Sequence, residues 1–354
     1  ISAIAKEVKN LVVFQRRPNW CAPLHNSNIS KSKMADIKRN YDAIFEKCRS
    51  TPSGFYHNFD PRKTFEVDRN KREHFWEELY ASPGFGIWLG NFRDTLSDEK
   101  ANLEFSKFVA KKIRQRVKSS EIAELLIPKD HGFGTRRVPM ENGYYEVFNQ
   151  DNVKLVNLEV NPIIEVTKSG ILTENDEYNF DIIIYATGFD AVTGSFDRIE
   201  FVGKDGISLK EKWENGPRTV YGLAVPNFPN LLTLAGPQSG SVATNFPRGI
   251  EEAVNWSSGF LEFLEKNKIE YFDAKFEAEG LWNNHVTEMA EKILFAKEKS
   301  WFTGYNVNVD KKYKGKCLIY AGGQIRFREF ITNEKTQNYP SFDKFTTDQD
   351  VLEH

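Results

Sequence analysis

The stretch that most narrows the possible folds is Asp181-Ile-Ile-Ile-Tyr-Ala-Thr-Gly-Phe-Asp190. Its apolar run does not alternate, so neither face is left for water. A run of this kind reads as a parallel strand covered on both sides, which points to an α/β arrangement. It stops at Ala186-Thr187-Gly188, small residues that let backbone pass close to a ligand or to another part of the fold. Taken alone, the same residues also suit a core strand with a glycine stop.

The start of the chain carries the same pattern. Residues 2–10 are amphipathic, with Ile4, Ala5 and Val8 on one face, and read as a helix closing on Asn10. Leu11-Val-Val-Phe-Gln15 then reads as a short buried strand, followed at once by Arg16, Arg17 and Pro18. Helix, apolar strand and a charged residue at the strand's end form the second half of a dinucleotide-binding βαβ unit. Arginine at that point accommodates the 2′-phosphate of NADP, where an acidic residue would select NAD. The glycine-rich turn of such a unit would belong upstream of Ile1, and a chain opening in mid-pattern without Met reads as a fragment. A plain helix–strand connection with a basic turn fits these residues equally.

From Pro23 to Lys129 polar, charged and aromatic residues dominate, and helices are expected near 31–49, 68–80 and 97–118. The block reads as a helical insertion between two halves of a nucleotide-binding domain. Gly84-Phe-Gly-Ile-Trp-Leu-Gly90 superficially resembles a nucleotide loop, but no strand precedes it and its spacing is wrong. Lys107, Lys111, Lys112, Arg114, Arg116 and Lys118 make a basic helix, whose interleaved Phe105, Phe108, Val109 and Ile113 mark the buried side of a solvated charged face.

Next comes Asp130-His-Gly-Phe-Gly-Thr-Arg-Arg-Val-Pro139. Two glycines make the backbone pliable and the proline stiffens it again. Adjacent side chains on an extended segment point opposite ways, so Arg136 and Arg137 can serve different clients. A guanidinium stays charged, and its planar fork suits a phosphate or an oxyanion. Locally the pair reads as surface charge just as well.

Beyond it, 152–158, 162–167 and 170–173 are short strands at hairpin spacing. A strand over 228–235 leads through the small-residue loop 236–247 into an amphipathic helix over 248–266, a good setting for an anionic or polar ligand edge. A helix over 274–298 and a strand over 316–323 follow.

Composition bounds the function. With 48 basic and 50 acidic residues the net charge is −2, which argues against bulk attraction to nucleic acid or an anionic membrane. No apolar run approaches the roughly 18 residues of a membrane span. Three scattered cysteines and six dispersed histidines show no disulfide or metal framework, and the reading is a cytoplasmic protein.

Taken together, seven stretches resemble the Baeyer–Villiger monooxygenases, flavoproteins that use NADPH and O2 to turn ketones into esters or lactones. They are Val13–Trp20, Phe133–Pro139 with Tyr144-Tyr-Glu, Ala186–Asp190, Gly216–Gly222, Phe228–Asn230, Gly236–Ser239 and Ser300–Gly304. They occur in the family's order over almost the whole chain, and it is the ordered set that is specific. The resemblance implies an α/β fold of two Rossmann-like domains, one for FAD and one for NADPH, with a helical insertion and the N-terminal FAD-binding part missing. It further implies an NADPH domain over 1–22 and 131–189, an insertion over 23–130 and the C-terminal part of the FAD domain over 190–354. By position, Arg137 resembles the catalytic arginine that stabilises a flavin peroxide anion. Arg16, Arg17 and Arg136 resemble the group around the NADPH 2′-phosphate. Trp301 resembles a tryptophan holding the nicotinamide ribose, and Asn245 and Phe246 resemble the loop along the flavin, with residues 241–244 near the substrate. After Trp301 the chain departs from the family, with a longer, proline-free segment through Gly315. An N- or S-oxygenating flavin monooxygenase is the rival reading, and a catalytically silent remnant a third.

Overall fold

The computed structural model describes residues 1–241, 244–305 and 316–346. They form a mixed α/β structure of two compact units, Ile1–Asn28 with Phe59–Gly188, and Ile29–Asn58 with Phe189–His354. The division cuts through the segment expected as one insertion. Residues 29–58 pack within the second unit because their far end is stitched there. Ser53 O accepts from Asn245 N at 2.8 Å, and Pro52 O accepts from Gln324 N at 2.7 Å.

In the first unit, strand Leu11–Gln15 pairs in parallel with Val153–Asn157, Leu11 opposite Val153 and Gln15 opposite Asn157. Strands Ile163–Val166, Gly170–Thr173 and Glu177–Asn179 make an antiparallel meander. Phe14 meets Tyr178 edge-on, ring centroids 5.3 Å apart, joining the two sheets.

Helix Glu99–Arg116 organises the core of this unit. Asp98 caps it by accepting from Ala101 N at 2.8 Å. Its apolar side, Phe105, Phe108, Val109 and Ile113, is buried at helical spacing against Trp76, Phe133 and Tyr145. The basic side faces water as expected at Lys107 and Arg114, paired to Glu104 and Glu124. Lys112 and Arg116 are drawn further in, Lys112 onto Glu77 and Arg116 between Glu141 and Glu146.

The second unit is built on helix Phe246–Lys266, which starts two residues before Arg248 because Pro247 fits a first turn. Phe260 lies fully buried among Tyr339, Phe272 and Phe342, with centroids 4.5, 4.8 and 4.9 Å away. Helix Phe276–Glu291 and helix Gly323–Thr336 complete the packing.

Six expected elements differ. Residues 2–10 form turns and no helix; Asn152 Nδ2 donates to the carbonyls of Ala5 and Val8, and the first of these is one a helix over 2–10 would use itself. The 181–190 run pairs with no strand among the described residues. It leaves Ile182, Ile184, Tyr185 and Phe189 exposed at 77%, 70%, 67% and 93%. An apolar run becomes a strand only where neighbouring strands take up its backbone groups. Residues 228–235 turn instead of extending, with Asn230 at φ 58° and its side chain accepting from Phe272 N. Residues 316–323 pass through the core as irregular chain, burying Ile319 and Tyr320 and making single bonds from Leu318 N to Phe302 O and from Gln238 N to Leu318 O. The expected helix over 31–49 is two helices, Lys31–Arg39 and Tyr41–Arg49, broken at Asn40, and that over 274–298 ends at Glu291.

No helix among the described residues is long and apolar enough to cross a membrane.

Candidate functional site

The loop 130–139 is held by helix Glu99–Arg116. Asn102 donates one amide hydrogen to Thr95 O at 2.8 Å and the other to Phe133 O at 2.9 Å. One turn on, Ser106 Oγ accepts from Phe133 N at 2.9 Å. Both backbone groups of Phe133 are thus fixed to a rigid element, and its ring sits fully buried against Phe105. The glycines make the approach possible. A Cβ on Gly132 would be built into the Asn102 side-chain oxygen, and Gly134 has φ +79° with Trp88 and Leu96 against it.

The loop then presents its two arginines differently. Arg136 turns back on Asp130, Nη2 to Oδ2 at 3.1 Å, and Arg17 reaches the same oxygen at 3.7 Å. Arg16 is exposed at the end of the strand Leu11–Gln15. Arg137 lies with its guanidinium 5.5 Å from the centre of the Trp88 ring, a cation–π contact. No carboxylate among the described residues pairs with it, and partial burial pushes its guanidinium down from the ordinary value. The structure therefore gathers Arg17 and Arg136 on one acid and leaves Arg137 separate.

His131 ties the two parts. Its Nδ1 stands 2.7 Å from Asp130 Oδ1 and its Nε2 3.1 Å from Asn19 Oδ1, while Asn19 Nδ2 donates to Arg137 O at 3.0 Å. Burial lowers the His131 imidazole below its usual value, helped by the charges of Arg136 and Arg17 and opposed by Asp130. A folded value below the unfolded one means that the unfolded chain binds more protons as pH falls through about 6.5. The stability is present above that pH and is lost below it. The melting temperature is expected to drop between pH 7 and pH 5.5, and to drop less in His131→Gln; equal drops in both would remove His131 as the cause.

The second-unit residues are described by themselves. Asn245 caps helix Phe246–Lys266 without a side-chain bond to it, and its Nδ2 instead donates to Gly54 O at 3.1 Å. Phe246 is 46% exposed. In the loop before them the hydroxyls of Ser239 and Ser241 are buried with no hydrogen-bond partner among the described residues. Trp301 opens a short turn capped by Ser300, which accepts from Phe302 N at 3.2 Å. Phe302 takes the buried position and Trp301 remains half-buried. Residues 242–243 of the expected substrate loop, and 306–315 of the departure after Trp301, lie outside the described residues.

Sequence reasoning assigned no role to Asp130, His131, Asn19, Asn102 or Trp88. Asp130 and His131 adjoin the glycines and were legible as neighbours. Trp88 lies in the glycine-rich stretch set aside as a false nucleotide loop, and nothing in its spacing connects it to Arg137.

No family model matches the chain. It is 43% identical over 343 residues to the 2-oxo-Delta(3)-4,5,5-trimethylcyclopentenylacetyl-CoA monooxygenase of Pseudomonas putida, covering 97% of this chain and 63% of that protein. It is 34% identical over 347 residues to a phenazine N-monooxygenase of Lysobacter antibioticus, covering 97% and 62%. A crystal structure of OTEMO in complex with FAD and NADP superposes with a TM-score of 0.91 at 43% identity, over 96% of this chain and 63% of that one. The class so defined is the flavin-dependent monooxygenases. Within it, the chain's homologues are Baeyer–Villiger monooxygenases, among them one of Pseudooceanicola batsensis at 32% identity over 356 residues, 99% of this chain and 64% of that protein. The chain spans 63% or less of the first three curated relatives it matches.

Proposed function

We propose that this chain is part of an NADPH- and FAD-dependent Baeyer–Villiger monooxygenase that inserts one oxygen atom of O2 beside a ketone carbonyl to give an ester or lactone. In this reading the first unit belongs to the NADPH-binding Rossmann domain and residues 190–354 to the FAD-binding one. The observation that carries it is Arg137, an exposed residue whose guanidinium lies over the Trp88 ring with no carboxylate partner among the described residues.

The residues suit both cofactors. Arg17 and Arg136 converge on one carboxylate and, with Arg16, make a cationic corner that fits a phosphate monoester. In the second unit the buried hydroxyls of Ser239 and Ser241 lack partners among the described residues, and Phe246 is partly exposed, which would suit a flavin edge. Trp301 would hold the nicotinamide ribose. The bound, reduced flavin supplies the oxygen-activating chemistry. Arg137 would supply a cation whose charge cannot be lost, stabilising the negative charge that develops on the substrate's carbonyl oxygen as its carbon becomes tetrahedral.

The identity to a phenazine N-monooxygenase supports N-oxygenation as a second reading. Product analysis separates the two. With the full-length protein, NADPH and FAD, a cyclic ketone is expected to yield the ring-expanded lactone. A protein that oxygenates only an aromatic amine nitrogen, and leaves the ketone untouched, would displace the ketone reading.

A further inference from the structure

The geometry points to Asp130 as the positioning residue of the phosphate corner, the group that aims Arg17 and Arg136 at one point and so sets the preference for a nucleotide carrying a 2′-phosphate. This rests on the phosphate assignment above and adds to it a residue that no resemblance supplied.

Three observations carry it. Both guanidiniums reach the same oxygen, Oδ2, Arg136 at 3.1 Å and Arg17 at 3.7 Å, although the two arginines lie more than a hundred positions apart in the chain. The other oxygen, Oδ1, is taken by His131 at 2.7 Å, and the His131 side chain is itself 0% exposed, so the carboxylate cannot swing away without breaking a buried contact. Asp130 and Arg17 side chains are 41% and 39% exposed, and ion pairs in such positions contribute little to stability. The Arg17 pair, costly in side-chain freedom and weak as a staple, is better explained by what it aims at.

Charge agrees with the aim. Arg17 and Arg136 against Asp130 leave two cations less one anion where the forks meet, a surplus of one. A phosphate monoester carries about −1.5 to −2 at neutral pH. Without the carboxylate the two guanidiniums repel each other and spread, so the corner would keep its long-range attraction and lose its fork. Asp130 therefore acts through the arginines and does not touch the reacting atoms. The groups facing it are Arg17, Arg136 and His131.

The test is a binding titration of the full-length protein with 2′,5′-ADP and with 5′-AMP, for wild type, Asp130→Asn, Asp130→Glu and Arg136→Ala. Asp130→Asn is expected to lose about tenfold in affinity for 2′,5′-ADP, the worth of one charge-assisted bond. Its 5′-AMP affinity should be unchanged, and Asp130→Glu should recover part of the loss. Equal losses for both nucleotides would show a merely structural role and overturn the inference. So would Asp130→Asn binding 2′,5′-ADP as well as wild type while Arg136→Ala does not, an outcome that leaves the phosphate assignment standing. If Arg136→Ala also binds 2′,5′-ADP normally, the phosphate assignment itself fails and this inference with it.

Discussion

Replacing Arg137 by Ala in the full-length enzyme is expected to lower the rate of ester or lactone formation by about 10²–10³-fold, the range for removing one donor that faces developing negative charge. Reduction of the flavin by NADPH should continue at close to the wild-type rate. The reason for the split is that the proposed phosphate corner rests on Arg17 and Arg136, and Arg137 shares no carboxylate with them. Its side chain rests on Trp88, so the substitution removes a charge and one cation–π contact without unpairing a buried acid. Arg137→Lys keeps a cation but loses the planar fork and the stack, and should fall between the two. Stopped-flow reduction and product chromatography read the two halves separately. Undiminished lactone formation in Arg137→Ala would overturn the assigned role, and an equal loss in both halves would place Arg137 with the NADPH site.

Gly132→Ala is expected to destabilise the first unit by about 2–4 kcal/mol, combining steric overpacking with a disturbed buried amide. The new methyl group would occupy the position of Asn102 Oδ1. Asn102 is 4% exposed and spends both amide hydrogens on Thr95 O and Phe133 O. Moving it leaves two buried carbonyls without those donors. Because Phe133 stands three residues before Arg136, the same change should disorder the arginine loop. Guanidinium unfolding reads the stability loss and 2′,5′-ADP titration reads the loop. A midpoint equal to wild type would mean that the Asn102 clamp is not what holds this loop.

Sequence alone determined a good part of this protein. Local pattern marked the strand Leu11–Gln15, the short strands between 152 and 173, and the amphipathic helix that buries Phe105, Phe108, Val109 and Ile113, because side-chain periodicity is a property of consecutive residues. It also singled out the arginines, since adjacent guanidiniums beside two glycines are visible without any neighbour. Tertiary structure decided the rest. Periodicity suggested a helix over 2–10, yet Asn152, far along the chain, takes the Ala5 carbonyl that helix would need. Apolar content suggested a strand over 181–190, but pairing makes a strand and pairing is non-local. The separate fates of Arg136 and Arg137 depend on Asp130 and Trp88, and Trp88 stands well away in sequence. A residue type states what chemistry is available; which charge is matched and which is left to act is settled only when distant segments meet.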